Sequence, residues 1–593
     1  MRGWIVGALF VLAAHAAAAA EARLPAGAEA KARLARAADE FWRREQDENL
    51  DVARIVGRPP RHLPIVSAGR CAADARTARR RLAELGRIDP AALDAGDRVT
   101  FEMLRWDAGQ RIERTRFCWL QPLLTPYSTP LNSAQSLLAG HPLDRRADLE
   151  SYRRLLGEMA RFVAAIEAFT RGQAARGIVL PRDELPAVLA LLDAYAAEPD
   201  RSPLRVADAR LARVDADDAR AFQAEVARLI RTRVNPRVRA LRDYVAGAYR
   251  AQAPAAAGLY QYPQGEAYYR HLVRFHTTLD LTPEAVHARG VDAVAEIEAQ
   301  MREVRRQAGF AGSEAEFRAL LRTDPRLRAA TPADVEARLA RPVAEVSAVI
   351  GRYFPRLPKA PYGLRRLDAS LEGAQAFGYY DPPSAHDPKG YYNYNASHLD
   401  QRSMLQARAI ALHELLPGHH LQLSLQMENA SIPEFRRLGL PTAFVEGWGT
   451  YASWLGVEMG VYADPYDRYG QLALDLFMAV RLVVDTGMNH YRWPRERAAA
   501  YMREHLTLSD AEIGAETLRY AADMPGQALA YRIGYEALLR LRRDAERRAG
   551  AAFDLAAFHG CVLGQGATPL VVLERHLRSC LAGDDARPAR TAP

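Results

Sequence analysis

Ala411-Leu412-His413-Glu414-Leu415-Leu416-Pro417-Gly418-His419-His420-Leu421-Gln422 is the stretch on which the reading of this chain turns. It has the form of a zinc-binding helix with residues inserted. In the ordinary arrangement two histidines at i and i+4 share one helical face and bind the ion. The glutamate after the first histidine polarises the water held there. His413-Glu414 opens that pattern, but Pro417 stands where the second histidine belongs, and histidines follow at i+6 and i+7. In a regular helix i+7 lies about 20° off the face of His413 but about 10 Å further along the axis. One ion cannot be held by both from a straight helix. Pro417 removes a backbone donor and clashes with the carbonyl four residues earlier, while Gly418 is conformationally permissive. The pair allows a break that brings His419 or His420 back towards His413, His419 needing the shorter insertion. An HE dipeptide alone is common. Three histidines and a glutamate within eight positions, in a chain of 593 residues with 15 histidines, make a metal-site pattern.

A third ligand is sought downstream, in Pro441-Thr442-Ala443-Phe444-Val445-Glu446-Gly447-Trp448-Gly449-Thr450-Tyr451. Glu446 sits in an apolar, helix-compatible run, where a carboxylate is costly to bury unless paired or metal-bound. It follows His413 by 33 residues, enough for one helix, a connection around Ile432-Pro433 and a second helix. Two histidines and a glutamate leave a fourth position open, the arrangement that keeps zinc reactive. The plainer alternative is a buried glutamate bonded to an arginine or tyrosine.

His413–Gln422 and Phe444–Tyr451 resemble the signature of the bacterial domain-of-unknown-function family 885, an HE-x-x-PGHH-x-Q element followed by EGW. Arg481–Gly487 with His490, Pro525–Ala528 with Tyr531 and Gly534, and Leu563–Gly566 with Pro569-Leu570 are similar to its later blocks. The resemblance covers about residues 270 to 575 and is looser before that. It implies distant kinship to helical zincins: a mainly α body with a central cleft and a small β-sheet beside the metal helix. It implies no substrate.

Most of the chain carries the Ala-Leu-Arg-Glu idiom with helical apolar spacing, over 28–56, 72–88, 146–172, 205–252, 283–307 and 333–352. Thr282-Pro283-Glu284 has the form of a helix start, and the Ala-rich 252–257 reads as a linker. Phe377–Leu399 departs from the idiom. Its Tyr391–Asn395 is β-compatible, and the resemblance implies an edge strand there that pairs with an extended substrate through Tyr392 and Asn393. A small sheet packed on helices is the alternative.

Met1-Arg2-Gly3-Trp4, an apolar core and small residues up to Ala20 have the form of a cleavable signal peptide. The apolar run is too short for a confident transmembrane span, and no cysteine follows closely, so a lipid anchor is not expected. The expected division is a signal at 1–20, a helical lobe at 21–270 and a catalytic lobe at 271–585, in a periplasmic or secreted protein. Export permits disulfides. The four cysteines allow three connectivities, of which the two local pairs, Cys71–Cys118 and Cys561–Cys580, are expected. The net charge of +8 does not point to nucleic acid. All but three basic residues are arginines, interleaved with acids as on solvated helix faces.

The expected chemistry is hydrolysis of short peptides with Zn2+ held by His413, Glu446 and His419 or His420. Glu414 is the general base. Tyr531 is the candidate donor to the oxyanion, with Tyr520 and Arg532 behind it. Asp485 and His490 are candidates for orienting a ligand, or simply cap a helix near Gly487. The rivals are a metal-dependent hydrolase of a non-peptide amide or ester, and a binding protein that has lost catalysis. An intact Glu414 counts against the latter.

Overall fold

Helices build nearly all of this protein, and the reasons for their ends are local. The computed structural model describes residues 26–126, 128–367, 372, 378–385, 387–439 and 441–582. The segment 1–20, read as a signal peptide, lies outside them, as does Phe377. The helical stretch expected over 28–56 consists of two helices, Ala26–Glu48 and Leu50–Val56. Asn49 divides them because its side chain accepts hydrogen bonds from the Asp51 and Val52 amides, which makes it a helix start. Thr282 caps Pro283–Gln307 through the Ala285 amide at 3.2 Å, as the Thr-Pro-Glu signal predicts. The run 205–252 is helical from Ala216 onwards, interrupted by π-turns at Ile230–Val234 and Val245–Tyr249. An Ala-rich idiom does not disclose such turns.

One helix organises the main core. Pro465–Asn489 is buried along almost its whole length from Tyr469, which is what a helix surrounded by others requires. Pro283–Gln307 packs along it, and Thr442–Leu455 packs along Leu529–Ala549. A second core, including Tyr152, Leu155, Met159, Phe162 and Ile166, gathers many of the buried residues between Leu50 and Ala253, together with Ala522. The cysteines pair as Cys71–Cys118 and Cys561–Cys580.

Three strands form the described sheet: β1 (Tyr362–Arg366), β2 (Gly378–Asp381) and β3 (Gly390–Tyr394). Their order is β1-β3-β2, with β1 parallel and β2 antiparallel to β3. This corrects one expectation. The strand that carries Tyr392 and Asn393 is central, flanked on both sides, and so has no open edge for a substrate backbone. The aromatic run is central because Tyr392 and Tyr394 are buried and need cover. The exposed Tyr379 lies on β2, at an edge.

Candidate metal centre

The inserted motif breaks the helix as its Pro-Gly pair implies. Ala407–Glu414 ends on the glutamate, Leu415 takes φ −107° and ψ −105°, the Leu416–Pro417 peptide is cis, and a new helix runs His419–Glu428. Gly418 is required by space: a Cβ there would lie 1.8 Å from the carbonyl oxygen of His413. The break therefore folds the second helix back onto the end of the first. His413 and His419 meet edge to face, their ring centroids 4.7 Å apart.

The EGW element supplies the rest. Glu446 on Thr442–Leu455 presents Oε2 at 3.7 Å from His413 Nε2 and 3.4 Å from His419 Nε2. Trp448, fully buried, donates its indole N–H to the Pro417 carbonyl at 3.0 Å and so ties the two segments together. Gly449 makes room for the His413 ring, since a Cβ there would stand 2.7 Å from Nε2. Gly447 meets Gly534 of Leu529–Ala549 at backbone contact, a Cβ at 447 lying 2.5 Å from the Gly534 Cα. That close crossing sets Tyr531 against the centre. Its ring is stacked on His413 with centroids 6.1 Å apart.

His413, His419 and Glu446 form a group that could hold a metal ion, with candidate ligand atoms all within 4.8 Å of one another. Their spacing bears this out. Distances of 3.4 and 3.7 Å exceed a normal charged hydrogen bond of about 2.7–2.9 Å. They approach the roughly 3.3–3.4 Å separation of ligands set tetrahedrally about 2.0–2.1 Å from one zinc ion. Protonation agrees with the donor set. Burial pushes His413 down to about 4, so it is a neutral imidazole at pH 7. Burial also disfavours charge on Glu446, but the two histidines outweigh it and hold the carboxyl well below the usual range. His419 is shifted up: Glu446, with help from Glu414, overcomes the effect of burial. Both Nδ1 atoms, on His413 and His419, are buried and have no hydrogen-bond partner. The two rings are thus oriented by packing, and among the described residues no carboxylate is hydrogen-bonded to either Nδ1.

Glu414 is half-buried beside this group. Burial raises its carboxyl to about 7, Glu446 adding to the shift while His419 and a hydrogen bond from the Tyr380 backbone oppose it. Its Oε2 is buried with no hydrogen-bond partner among the described residues. Tyr392 is fully buried near Glu414, and burial first, then the Glu414 charge, hold its hydroxyl protonated.

The structure separates the remaining expected residues. His420, next to His419, points elsewhere. Its Nδ1 is 2.8 Å from the Tyr380 hydroxyl and its Nε2 3.1 Å from the Ala360 carbonyl, so it is not in the ligand group. Tyr520 lies behind Tyr531, bonded to Arg481 at 3.0 Å and to Glu516. The Arg481 guanidinium stands 4.6 Å over the Tyr531 ring and is bonded to Glu516 at 2.9 Å. Arg532 turns to Asp475 and Glu536. Asp485 accepts from Tyr269 at 2.6 Å and from the Gly526 amide at 2.9 Å. It therefore fixes the turn ahead of the Tyr531 helix. His490 ends its helix and faces Glu284 at 2.9 Å. Asn393 is bonded within the sheet, to Arg365 at 2.7 Å and to the Tyr379 carbonyl. Two neighbours were given no role in the sequence reading. Arg481 is signalled by being an arginine amid Phe477–Val484, an apolar run. Tyr380 has no such signal, because its role depends on sheet pairing.

The fold and this group define a class: a mainly helical protein with a small mixed sheet and a buried His–His–Glu group able to hold a metal ion. The chain belongs to the family described as "Bacterial protein of unknown function (DUF885)", which matches residues 52–577. No curated protein matches it. Among solved structures it is similar to a protein of Colwellia psychrerythraea described as a "putative lipoprotein". Identity is 23%, with 94% of this chain and 100% of that chain covered at a TM-score of 0.85. A "putative lipoprotein of unknown function" from Shewanella oneidensis is similar at 17% identity, covering 91% and 99% with a TM-score of 0.70. These likenesses establish the fold.

Proposed function

We propose that the protein is an exported zinc-dependent peptidase that hydrolyses short peptides. The observation that carries this reading is the juxtaposition of Glu414 with the His413–His419–Glu446 group. It joins a half-buried carboxyl, raised to about 7 and with its Oε2 left without a hydrogen bond among the described residues, to three donors at metal-ligand spacing. Bound there, zinc supplies Lewis-acid polarisation of a carbonyl and acidifies water at neutral pH. Glu414 takes the proton of the attacking water and returns it to the leaving amine, work suited to a carboxyl whose pKa lies near the working pH. Tyr531 donates its hydroxyl to the oxyanion that develops on the scissile carbonyl. Arg481, over the face of the Tyr531 ring and anchored by Glu516 and Tyr520, holds that ring in place. The reading extends to a distant kinship with helical zincins, supported by the broken HE…HH helix and the downstream glutamate.

Export is supported by the two disulfides, by the signal-like segment 1–20 and by the lipoprotein descriptions given to the structural neighbours. Among the described residues no helix is long and apolar enough to cross a membrane.

The test is metal analysis of the purified protein followed by digestion of a peptide library. About one zinc per chain is expected, with cleavage lost on chelation and restored by zinc. A protein that binds zinc yet cleaves esters or non-peptide amides and no peptide would replace the peptidase reading with the broader hydrolase. One that binds no metal would end both.

A further inference from the structure

The doubled histidine of the motif invites a question the ligand group leaves open: what the second histidine does. His420 is almost completely buried, yet both ring nitrogens are engaged away from the ligand group. Nε2 faces the Ala360 carbonyl at 3.1 Å. A carbonyl only accepts, so Nε2 carries the proton and Nδ1 is the acceptor. The Tyr380 hydroxyl, 2.8 Å away, therefore donates to Nδ1. Ser424 approaches the same nitrogen at 3.4 Å from the next helical turn, and Tyr362 of β1 packs on the ring with centroids 5.2 Å apart. His420 thus joins the helix that carries ligand His419 to the segment leading into β1 and to the edge strand β2.

The sheet is shaped to permit this link. Gly390, at the start of β3, lies under it: a Cβ there would sit 2.0 Å from the Tyr380 hydroxyl and 3.1 Å from His420 Nδ1. Any other residue at 390 would push the tyrosine off the histidine. The same Tyr380 contributes the backbone hydrogen bond received by Glu414. One residue of β2 therefore touches the carboxyl through its main chain and His420 through its side chain.

We infer that His420 is a positioning residue: through the Tyr380 hydroxyl it clamps β2 so that the Tyr380 amide orients the Glu414 carboxylate. The inference rests on the proposed role of Glu414 and deepens it. It explains why two adjacent histidines follow the Pro-Gly break. Residues one apart on a helix point about 100° from each other, so His419 reaches Glu446 while His420 reaches the sheet.

The experiment compares His420→Ala, His420→Asn, Tyr380→Phe and the His420→Ala/Tyr380→Phe double variant. Zinc content, amide hydrogen exchange over 378–381, and kcat and KM on a peptide found in the library digest are measured. All variants should keep about one zinc per chain. Exchange over β2 should quicken about tenfold in His420→Ala and Tyr380→Phe. Both should lose about ten- to a hundredfold in kcat, the range for residues that orient catalytic groups, with KM within about threefold. The double variant should be no worse than either single one, because one link is broken once. His420→Asn, whose amide oxygen replaces Nδ1 as acceptor, should recover most of the loss. Zinc loss in His420→Asn with normal folding would make His420 a ligand and overturn the inference. Unchanged exchange over β2, or strictly multiplicative losses in the double variant, would overturn it equally. If the parent protein cleaves no peptide, the peptidase reading fails, while zinc content and exchange still decide whether His420 is the clamp.

Discussion

On the proposed reading two single residues carry most of the centre's chemistry, one by what it holds and one by what it lacks. Glu414→Gln removes the proposed proton acceptor and keeps the shape. Burial already disfavours the charged carboxylate there, so the amide should cost no stability. Zinc content should be unchanged and turnover should fall roughly 100- to 10,000-fold, the usual contribution of a general base. Turnover near the parent value would remove Glu414 from that role. Gly449 has the opposite character, because nothing but hydrogen fits. An alanine Cβ would stand 2.7 Å from both Cε1 and Nε2 of His413. That ring is hemmed in by His419 on one side and Tyr531 on another. Gly449→Ala should therefore displace the ligand atom itself. We expect zinc affinity to fall by about tenfold or more, read by competition with a chromophoric chelator, and stability to fall by about 1–3 kcal/mol. Affinity equal to the parent's would mean that the ring has room to move aside.

Between elements, the decisive contact is the crossing of Thr442–Leu455 with Leu529–Ala549 at Gly447 and Gly534. A Cβ on Gly534 would come within 1.9 Å of the Ala443 carbonyl oxygen. Backbone cannot yield as a side-chain tip can, so Gly534→Ala must part the helices. Tyr531 lies three residues earlier on the same helical face and would move with it. The expected result is a loss of roughly 2–4 kcal/mol in stability, seen as a lowered thermal midpoint, together with weaker hydrolysis at intact zinc stoichiometry. A midpoint within a degree of the parent's would refute the close crossing. This contact also marks the limit of what the chain discloses when read in one dimension. The break at Pro417-Gly418 and the candidate ligand set, with His419 and His420 left open as alternatives, are legible, because proline, glycine and histidine act through chemistry carried by the residue itself. The apposition of Gly447 with a glycine 87 residues further on is not, since close approach is a property of the pair. The same holds for β3. Its tyrosines mark a strand, but whether a strand is central or at an edge is set by its partners, and the reading of Tyr391–Asn395 as an edge fails there. Likewise Asp485 and His490 are open to two readings in the sequence, partners of a ligand or a helix cap near Gly487; Asp485 is engaged by the Gly526 turn, and His490 caps its helix and faces Glu284.

At the scale of the whole molecule we propose two lobes, divided near residue 270. The support is the separation of the main core from a second one whose buried residues, Ala522 apart, all lie between Leu50 and Ala253. A smaller cluster joins them, bringing Phe117 and Leu120 against Tyr268, Tyr269, Leu529 and Ile533. Polar links run beside it, among them Asp183 with Arg495 at 2.9 Å and Ser128 with Asp523 at 3.0 Å. At this seam Glu184 is fully buried, and neither of its carboxyl oxygens has a hydrogen-bond partner. Burial raises its pKa to about 8, with Asp523 and Asp183 adding to the rise and Arg495 opposing it. In the unfolded chain this carboxyl loses its proton near 4.5, whereas the folded protein retains it until about pH 8. Folding therefore takes up a proton between those values. The stability that this residue permits is fully present below about pH 4.5 and declines as pH rises towards 8. Glu184→Gln keeps the shape and removes the titration. The variant should match the parent's thermal midpoint near pH 4.5 and exceed it increasingly up to pH 8, by on the order of a few kcal/mol in unfolding free energy. Thermal unfolding of both proteins across that range tests this. Parallel curves would mean that the carboxyl at the seam is ionised and solvated, and that the lobes do not close over it as tightly as its burial indicates.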